Sequence, residues 1–358
     1  MAHADLNIFV SGLLDDLASV QRSVYPRRAY ERAARAVALL EHPVTTMPAE
    51  AIARIPHIGR TAQQVIRDVV ATGESPTVAR AVRSGDPREA ERRRSLRDGF
   101  ISLAAARQVL HIDEPGLVGR RHYRGDLQMH TGWSDGARSV AEMALACAQR
   151  GYRHLAITDH ARGLAIARGL SSASMAAQHR EIDEVNAVLA GRLLVLKGVE
   201  ANIDAEGGLD VSAADRASCD VVLAAPHSKL DTTADQTMRL LTAIATPGVH
   251  ILAHPSGRKF GKRPGLRVDW DRVFAAAARH RVAIELDGDP SRQDIPFALV
   301  HRALDAGCVF AIDSDAHDVD QLVYAEIALA HARLAGVPPA RVINCWATRK
   351  LLGWLERD

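Results

Sequence analysis

The sequence predicts an α/β protein: a β/α barrel of seven parallel strands carried behind a small all-α domain. Three observations predict it. From residue 124 onward, short apolar runs alternate with segments of helical periodicity, the pattern of a parallel sheet with right-handed crossovers. Polar clusters recur at the ends of these runs, and six ends sharing one chemistry point to a barrel mouth rather than the single switch point of an open sheet. Before residue 124 the apolar residues recur at helical spacing.

A chain of 358 residues has room for both parts, and we divide it into a helical domain at 1–83, a linker with helical character at 84–123 and the barrel at 124–358. A hydrophobic content of 47% against 25% charged residues excludes disorder for the bulk. The net charge of +2 hides an asymmetry, since residues 1–123 hold 18 Arg and no Lys against 14 acidic residues, whereas 124–358 hold 27 basic against 29 acidic. That balance fits a module contacting nucleic acid joined to a carboxylate-bearing metal domain; an Arg-biased composition without a partner is the other reading. Cys147, Cys219, Cys308 and Cys345 form neither a CxxC pair nor a disulfide framework, which favours a reducing compartment. The stretch from Met1 to Leu17 lacks a basic start and is broken by Asp15-Asp16, and no run nears the roughly 18 apolar residues of a membrane span. A cytoplasmic protein without membrane contact is therefore expected.

Taken in order, residues 6–42 read as helices through Ile8, Leu13, Leu14 and Leu17, then Tyr30, Ala34, Val37 and Leu40. Next, Ile55-Pro56-His57-Ile58-Gly59-Arg60-Thr61-Ala62 leads into a periodic helix from Val65 to Thr72, closed by Gly73. A tight hairpin whose amides open onto a helix N-terminus suits a phosphate. With Arg27, Tyr30 and Ala33-Ala34-Arg35 before it, the stretch resembles the helix-hairpin-helix of the small N-terminal domain of family X DNA polymerases. The resemblance implies DNA contact. Its pattern has glycine where this chain has His57, and a side chain there impairs close approach to a DNA backbone. The first lysine of the chain is Lys197, so a lyase lysine has no counterpart here. A helical domain that only packs or dimerises is the alternative.

The run Arg92-Arg93-Arg94 within 84–99 reads as a solvated helix face or a strip that tracks phosphates. From there to Arg124 only about 25 residues remain, too few for a polymerase palm. Strands are expected at 124–130, 154–159, 193–200, 220–226, 249–253, 281–287 and 308–313. Helices are expected near 138–150, 174–190, 232–245, 270–280, 295–306, 319–335 and 339–355.

The strand ends carry Gln128, His130 and Asp135; Thr158-Asp159-His160; Glu200; His227; His254; and Asp313-Ser314-Asp315-Ala316-His317. Imidazoles and carboxylates converging in this way are what a polynuclear metal site needs. Over residues 124–355 the set resembles the PHP (polymerase and histidinol phosphatase) domain, most nearly that of bacterial family X polymerases. The resemblance implies a distorted seven-stranded β/α barrel with two or three divalent metal ions of Zn, Mn or Fe. It implies His130, Glu200 and Asp315 on one metal, Glu200 bridging to a second held by His227 and His254, and Asp135, His160 and His317 on a third. Gln128 stands where the general pattern has the first histidine of an HxH pair, and its amide oxygen is a weaker ligand. Family X PHP domains also carry glutamine there.

The chemistry implied is in-line hydrolysis of a phosphoester, with Glu200, His227, Asp315 and His317 at its centre and paired cations neutralising the phosphate oxygens. Asp159 and Asp313 read as groups that orient ligands. Arg258, Lys259, Lys262 and Arg263 follow the His254 motif and, with Arg162 and Arg168, are the candidate phosphate-binding cations. Trp133 reads as a base-stacking platform or as packing at the barrel mouth. The function expected is a phosphoesterase acting on DNA, as a 3′–5′ exonuclease or 3′-end processing enzyme. A small-molecule phosphatase and a non-catalytic DNA-binding scaffold with structural metals are the alternatives.

Overall fold

The computed structural model describes residues 5–163 and 167–356, and the chain divides into two compact units. The first comprises Met1–Ile112 with Lys259–Pro264, and the second comprises Asp113–Arg258 with Gly265–Asp358.

The first unit is helical. Its helices are α1 (Leu6–Ser19), α2 (Val24–Ala38), α3 (Ala49–Ala53), α4 (Arg60–Thr72), α5 (Pro76–Ser84), α6 (Pro87–Ser95) and α7 (Leu103–His111). The periodic residues of α1, α2 and α4 meet in one core that includes Val10, Leu14, Leu17, Val37, Val65, Ile66 and Val69. Helix α4 ends where the sequence places its stop, with Gly73 left-handed at φ 79° and its N–H donated to the Val69 carbonyl. In the turn between α3 and α4, His57 takes φ 67°, the conformation that favours glycine.

Residues 84–112, expected as a linker with helical character, supply α6 and α7 to this unit. Each helix has its own cap: Asp86 accepts from the amides of Arg88 and Glu89, and Ser102 from that of Ala105. The arginine run is only partly a solvated face. Arg92 pairs with Glu89 of its own helix, while Arg93 turns inward to Asp15 at 2.6 Å and Arg94 meets buried Asp16 at 2.9 Å.

In the second unit a parallel sheet runs in the order β1 (His154–Ile157), β2 (Leu194–Asn202), β3 (Val221–Ala225), β4 (Ile251–Leu252), β5 (Ala283–Asp287) and β6 (Phe310–Asp313). Among the described residues the sheet has six strands rather than the seven expected, and the missing one is 124–130. The reason lies in its amides. Leu127 donates to the Asp313 carboxylate at 2.6 Å, Gln128 to Asp126 at 3.2 Å and Met129 to the Thr158 hydroxyl at 3.1 Å, so side chains take the place of ladder carbonyls. The carbonyls of Asp126 and Met129 still accept from Ala156 and Thr158, and Met129 bridges to Ala316 beyond β6. An irregular segment thus links the two edges of the sheet.

Along each strand the residues two apart share a face. The inner face is apolar at its base, with Ala156, Leu196, Leu223, Ile251, Ala283 and Ala311, and is closed from below by Trp346, Leu351, Trp354 and Leu355. Continuing on that face toward the C-terminal ends, the same alternation delivers Glu200 four residues after Leu196, Glu285 and Asp287 after Ala283, and Asp313 after Ala311. Apolar residues therefore give way to carboxylates as the strands rise. The outer helices include α8 (Val140–Gln149), opened by a Ser139–Glu142 capping box, and α9 (Ser172–Leu189).

Candidate metal centre

Each ligand type predicted from sequence lies at the C-terminal end of the sheet. His130 follows the irregular segment and is held there by its N–H, donated to the Ala316 carbonyl at 2.8 Å. The chain then folds back so tightly that a Cβ on Gly136 would overlap the His130 backbone, a turn that returns Asp135 to the cluster. Asp159 fastens this loop. Its carboxylate accepts from the Thr131 amide at 2.8 Å, the Thr131 hydroxyl at 2.6 Å, the Ser134 hydroxyl and the Gln178 amide at 2.6 Å. A carboxylate so occupied orients its neighbours rather than coordinating.

Glu200, fully buried, is the hub. Its Oε1 lies 2.7 Å from His254 Nε2 and 3.4 Å from His227 Nε2, while Oε2 lies 2.9 Å from His160 Nδ1 and 3.6 Å from His130 Nε2. On the other side, His130 Nε2 is 3.1 Å from Asp315, and Asp135 is 3.7 Å from His160 Nε2 and 3.5 Å from His317 Nε2. The His130 ring is stacked between those of His160 and His317, with centroids 4.4 and 4.3 Å away. His317 Nδ1 donates to the Asp315 carbonyl at 2.8 Å, which leaves Nε2 as its outward-facing nitrogen.

These residues fit a metal. His130, Asp135, His160 and His317 place one ligand atom each within 4.8 Å of one another, and His160, Glu200 and His227 do the same. Nδ1 of His130, Nδ1 of His254, both ring nitrogens of His227 and both amide atoms of Gln128 are buried without a hydrogen-bond partner. Orphaned buried polar atoms cost about 1–3 kcal/mol each. Imidazole and carboxylate donors together suit Zn, Mn or Fe.

The protonation pattern has physical causes. Burial alone would raise the Asp135 carboxyl, but the hydrogen bond from His317 and the fields of His130 and His160 bring it down to about 2. Burial would lower His317, yet Asp135 and Asp315 lift it to about 9. Burial opposes ionisation of Glu200 as well, and the surrounding imidazoles His160 and His227 hold it well below the usual carboxylate range. Beneath the cluster, burial pushes Asp313 up to about 6 and raises Asp126, Glu285 and Asp287 well above theirs.

The candidate phosphate cations fare differently from the ligands. Arg162 and Arg168 are exposed. Arg258 is buried and points away from solvent, its Nε donated to the carbonyls of Arg292 and Gln293 at 2.9 and 3.0 Å. Lys259 and Arg263 pair through their backbones, and Lys262 forms an ion pair with Glu31 at 3.1 Å within the first unit. Trp133 packs with the apolar residues beside α9 and donates its indole N–H to Glu181 at 2.7 Å, so its plane is set by the core. Sequence reading passed over the end of β5. Glu285, Asp287 and Arg292 all reach the cluster region, and acids two apart in an otherwise apolar run were the signal for the first two.

No protein-family model matches the chain. It is 35% identical over 249 residues to the DNA polymerase/3′-5′ exonuclease PolX of Bacillus subtilis (strain 168), an alignment covering 69% of this chain and 44% of PolX. The chain thus spans less than half the length of that relative. The probable phosphatase YcdX of Shigella dysenteriae is 31% identical over 250 residues, covering 65% of this chain and 94% of YcdX, and the Escherichia coli O1:K1 protein gives the same figures. Among solved structures, the histidinol phosphate phosphatase of Lactococcus lactis, complexed with zinc, L-histidinol and phosphate, aligns at 14% identity with a TM-score of 0.44, over 60% of this chain and 94% of that one.

Proposed function

The chain belongs to the PHP (polymerase and histidinol phosphatase) family of metal-dependent phosphoesterases, and we propose that it hydrolyses phosphodiester bonds at DNA ends as a 3′–5′ exonuclease or 3′-end processing enzyme. The observation that carries the hydrolytic reading is Glu200, whose two oxygens each face two imidazoles. Divalent cations held by His130, Glu200 and Asp315, by Glu200, His227 and His254, and by Asp135, His160 and His317 would supply Lewis acidity and a lowered pKa for water. The protein's own part is orientation. Asp159 fixes the loop between His130 and Asp135, and the Asp315 carbonyl fixes the His317 tautomer.

Support for DNA comes from the PolX relative and from the arginines of the helical unit, of which Arg27, Arg28, Arg32 and Arg60 are exposed. A small phosphomonoester is the second reading, favoured by the nearly full coverage of YcdX and by the side chain at His57 in the hairpin. The assay is purified protein with Mn²⁺ and 5′-labelled single- and double-stranded oligonucleotides. Shortening that disappears in His227→Ala is expected. Release of phosphate from small monoesters with no oligonucleotide shortening would replace the DNA reading with the second one.

A further inference from the structure

The β2–β3 ladder ends between two of the metal ligands. Asn202 pairs with Ala225, the Ile203 N–H is donated to the Ala225 carbonyl at 2.9 Å, and Pro226 then has no N–H with which to continue. Glu200 lies two residues before Asn202 on one strand, and His227 lies two residues after Ala225 on the other. Glu200 Oε1 and His227 Nε2 stand 3.4 Å apart. No hydrogen bond to its ring fixes His227, because both ring nitrogens are buried without a partner. His317, by contrast, has its tautomer set by the Asp315 carbonyl. A ligating histidine is normally oriented through its second nitrogen, so His227 depends on the backbone that carries it.

That backbone is held by Arg239. The residue belongs to the helix Thr237–Ala245 and is 3% exposed. It donates Nε–H to the Asp204 carbonyl at 2.6 Å and a terminal N–H to the Ile203 carbonyl, both just beyond β2. Its remaining donors reach the residue after His227, meeting the Ser228 carbonyl at 2.8 Å and the Ser228 hydroxyl at 3.2 Å, and also the Gln236 side chain at 3.2 Å. Every acceptor is neutral, unlike the carboxylates that take up Arg93, Arg94 and Arg97. A guanidinium bonded to carbonyls from two strand ends acts as a tie, since its donors form a rigid planar fork. The hairpin beyond β2 rests on the same helix: Gly207 takes φ 93°, and a Cβ there would overlap the Arg239 carbonyl.

We propose that Arg239 is a positioning residue: it joins the ends of β2 and β3 beyond their ladder and so sets the span between Glu200 and His227 across which a cation is held. The proposal rests on the metal-dependent reading of the site. Lysine presents a point charge in place of the fork, and glutamine removes charge and length together.

The test is dialysis of the Mn²⁺-loaded chain against buffers of stepwise lower free Mn²⁺, with metal per chain counted by elemental analysis, for wild type, Arg239→Gln, Arg239→Lys and Leu240→Ala. Leu240 is fully buried on the same helix, so its truncation loosens that helix while the guanidinium remains. Arg239→Gln should release one ion at a free Mn²⁺ about 10- to 100-fold higher than wild type does, with the other ions leaving as in wild type. Arg239→Lys should shift less, and Leu240→Ala should follow the wild-type curve. An unshifted Arg239→Gln curve overturns the proposal, as does an equal shift in Leu240→Ala, which would assign the effect to helix packing. Should Arg239→Gln fail to fold, the curves of Arg239→Lys and Leu240→Ala decide by the same comparison. Wild-type protein that holds fewer than two ions would sink the metal centre and the proposal with it. Protein that gives the expected curves yet shortens no oligonucleotide would sink the DNA reading alone and leave this role of Arg239 standing.

Discussion

In the helical unit Asp16 is fully buried and its carboxylate is met by Arg97 at 2.6 Å and Arg94 at 2.9 Å, with Asp15 taken up by Arg93 and Arg97 at 2.6 and 2.8 Å. In the barrel unit Glu200 is as deeply buried, yet the groups around it are imidazoles. Both arrangements offset the cost of burying a carboxylate. Guanidinium stays protonated at any working pH, so the first network is closed. Imidazole gives up its proton to a metal near neutrality, so the second is open to exchange. Charge burial alone therefore does not mark a functional site; the identity of the counter-charge does.

The largest effects should separate the two networks. Glu200→Ala should lower phosphoester hydrolysis by at least about a thousandfold and remove more than one metal ion per chain by elemental analysis, with the metal-free fold kept on circular dichroism. Metal content equal to wild type would refute the bridging assignment. Asp16→Ala should do the reverse, costing about 1–3 kcal/mol in denaturant unfolding by removing the buried carboxylate that Arg94 and Arg97 share, with Arg97 keeping Asp15, while metal content holds. Should metal be lost from Asp16→Ala as well, the contrast between closed and open networks fails.

A subtler contrast lies in pH. In the metal-free protein, His317 is raised to about 9 from an unfolded value of about 6.5. Its contribution to stability is full below about 6.5 and is lost as pH rises through 9. Asp135, lowered to about 2, contributes above about 3.9 and loses its share as pH falls through 2. Because a metal must displace the His317 proton, apparent metal affinity should weaken by about tenfold per pH unit below 9, with proton release detectable in buffers of different ionisation enthalpy. An affinity flat between pH 6.5 and 8.5 would contradict the open-network picture.

The smallest effect concerns the helical unit alone. His57→Gly relieves a left-handed backbone and should change its stability by no more than about 1 kcal/mol, since glycine also loses more freedom on folding. Oligonucleotide affinity, measured by fluorescence anisotropy, should rise if the hairpin grips a phosphate backbone. No change would mean that the turn does not contact DNA.

How much of this was readable in the chain follows from the range of the interactions. Alternating apolar runs and periodic helices are local patterns, and they placed the strands of the sheet within a few residues of where they lie. Imidazoles and carboxylates at strand ends are visible in the sequence, and the PHP resemblance singled out His130, Asp135, His160, Glu200, His227, His254, Asp315 and His317 among them as candidate ligands before any contact was known. What those patterns could not determine is competition between residues far apart in sequence. Asp313 captures the Leu127 amide across 186 positions and so denies 124–130 its ladder. Arg258 turns inward because the carbonyls of Arg292 and Gln293 await it 34 and 35 residues on, and that choice seats a different arginine beside the metal ligands. The sequence by itself determined which chemistry the strand ends carry; only the tertiary structure decided which donors are spent on the protein's own backbone and which remain for a ligand, because each hydrogen bond made inside the fold is one withdrawn from the site.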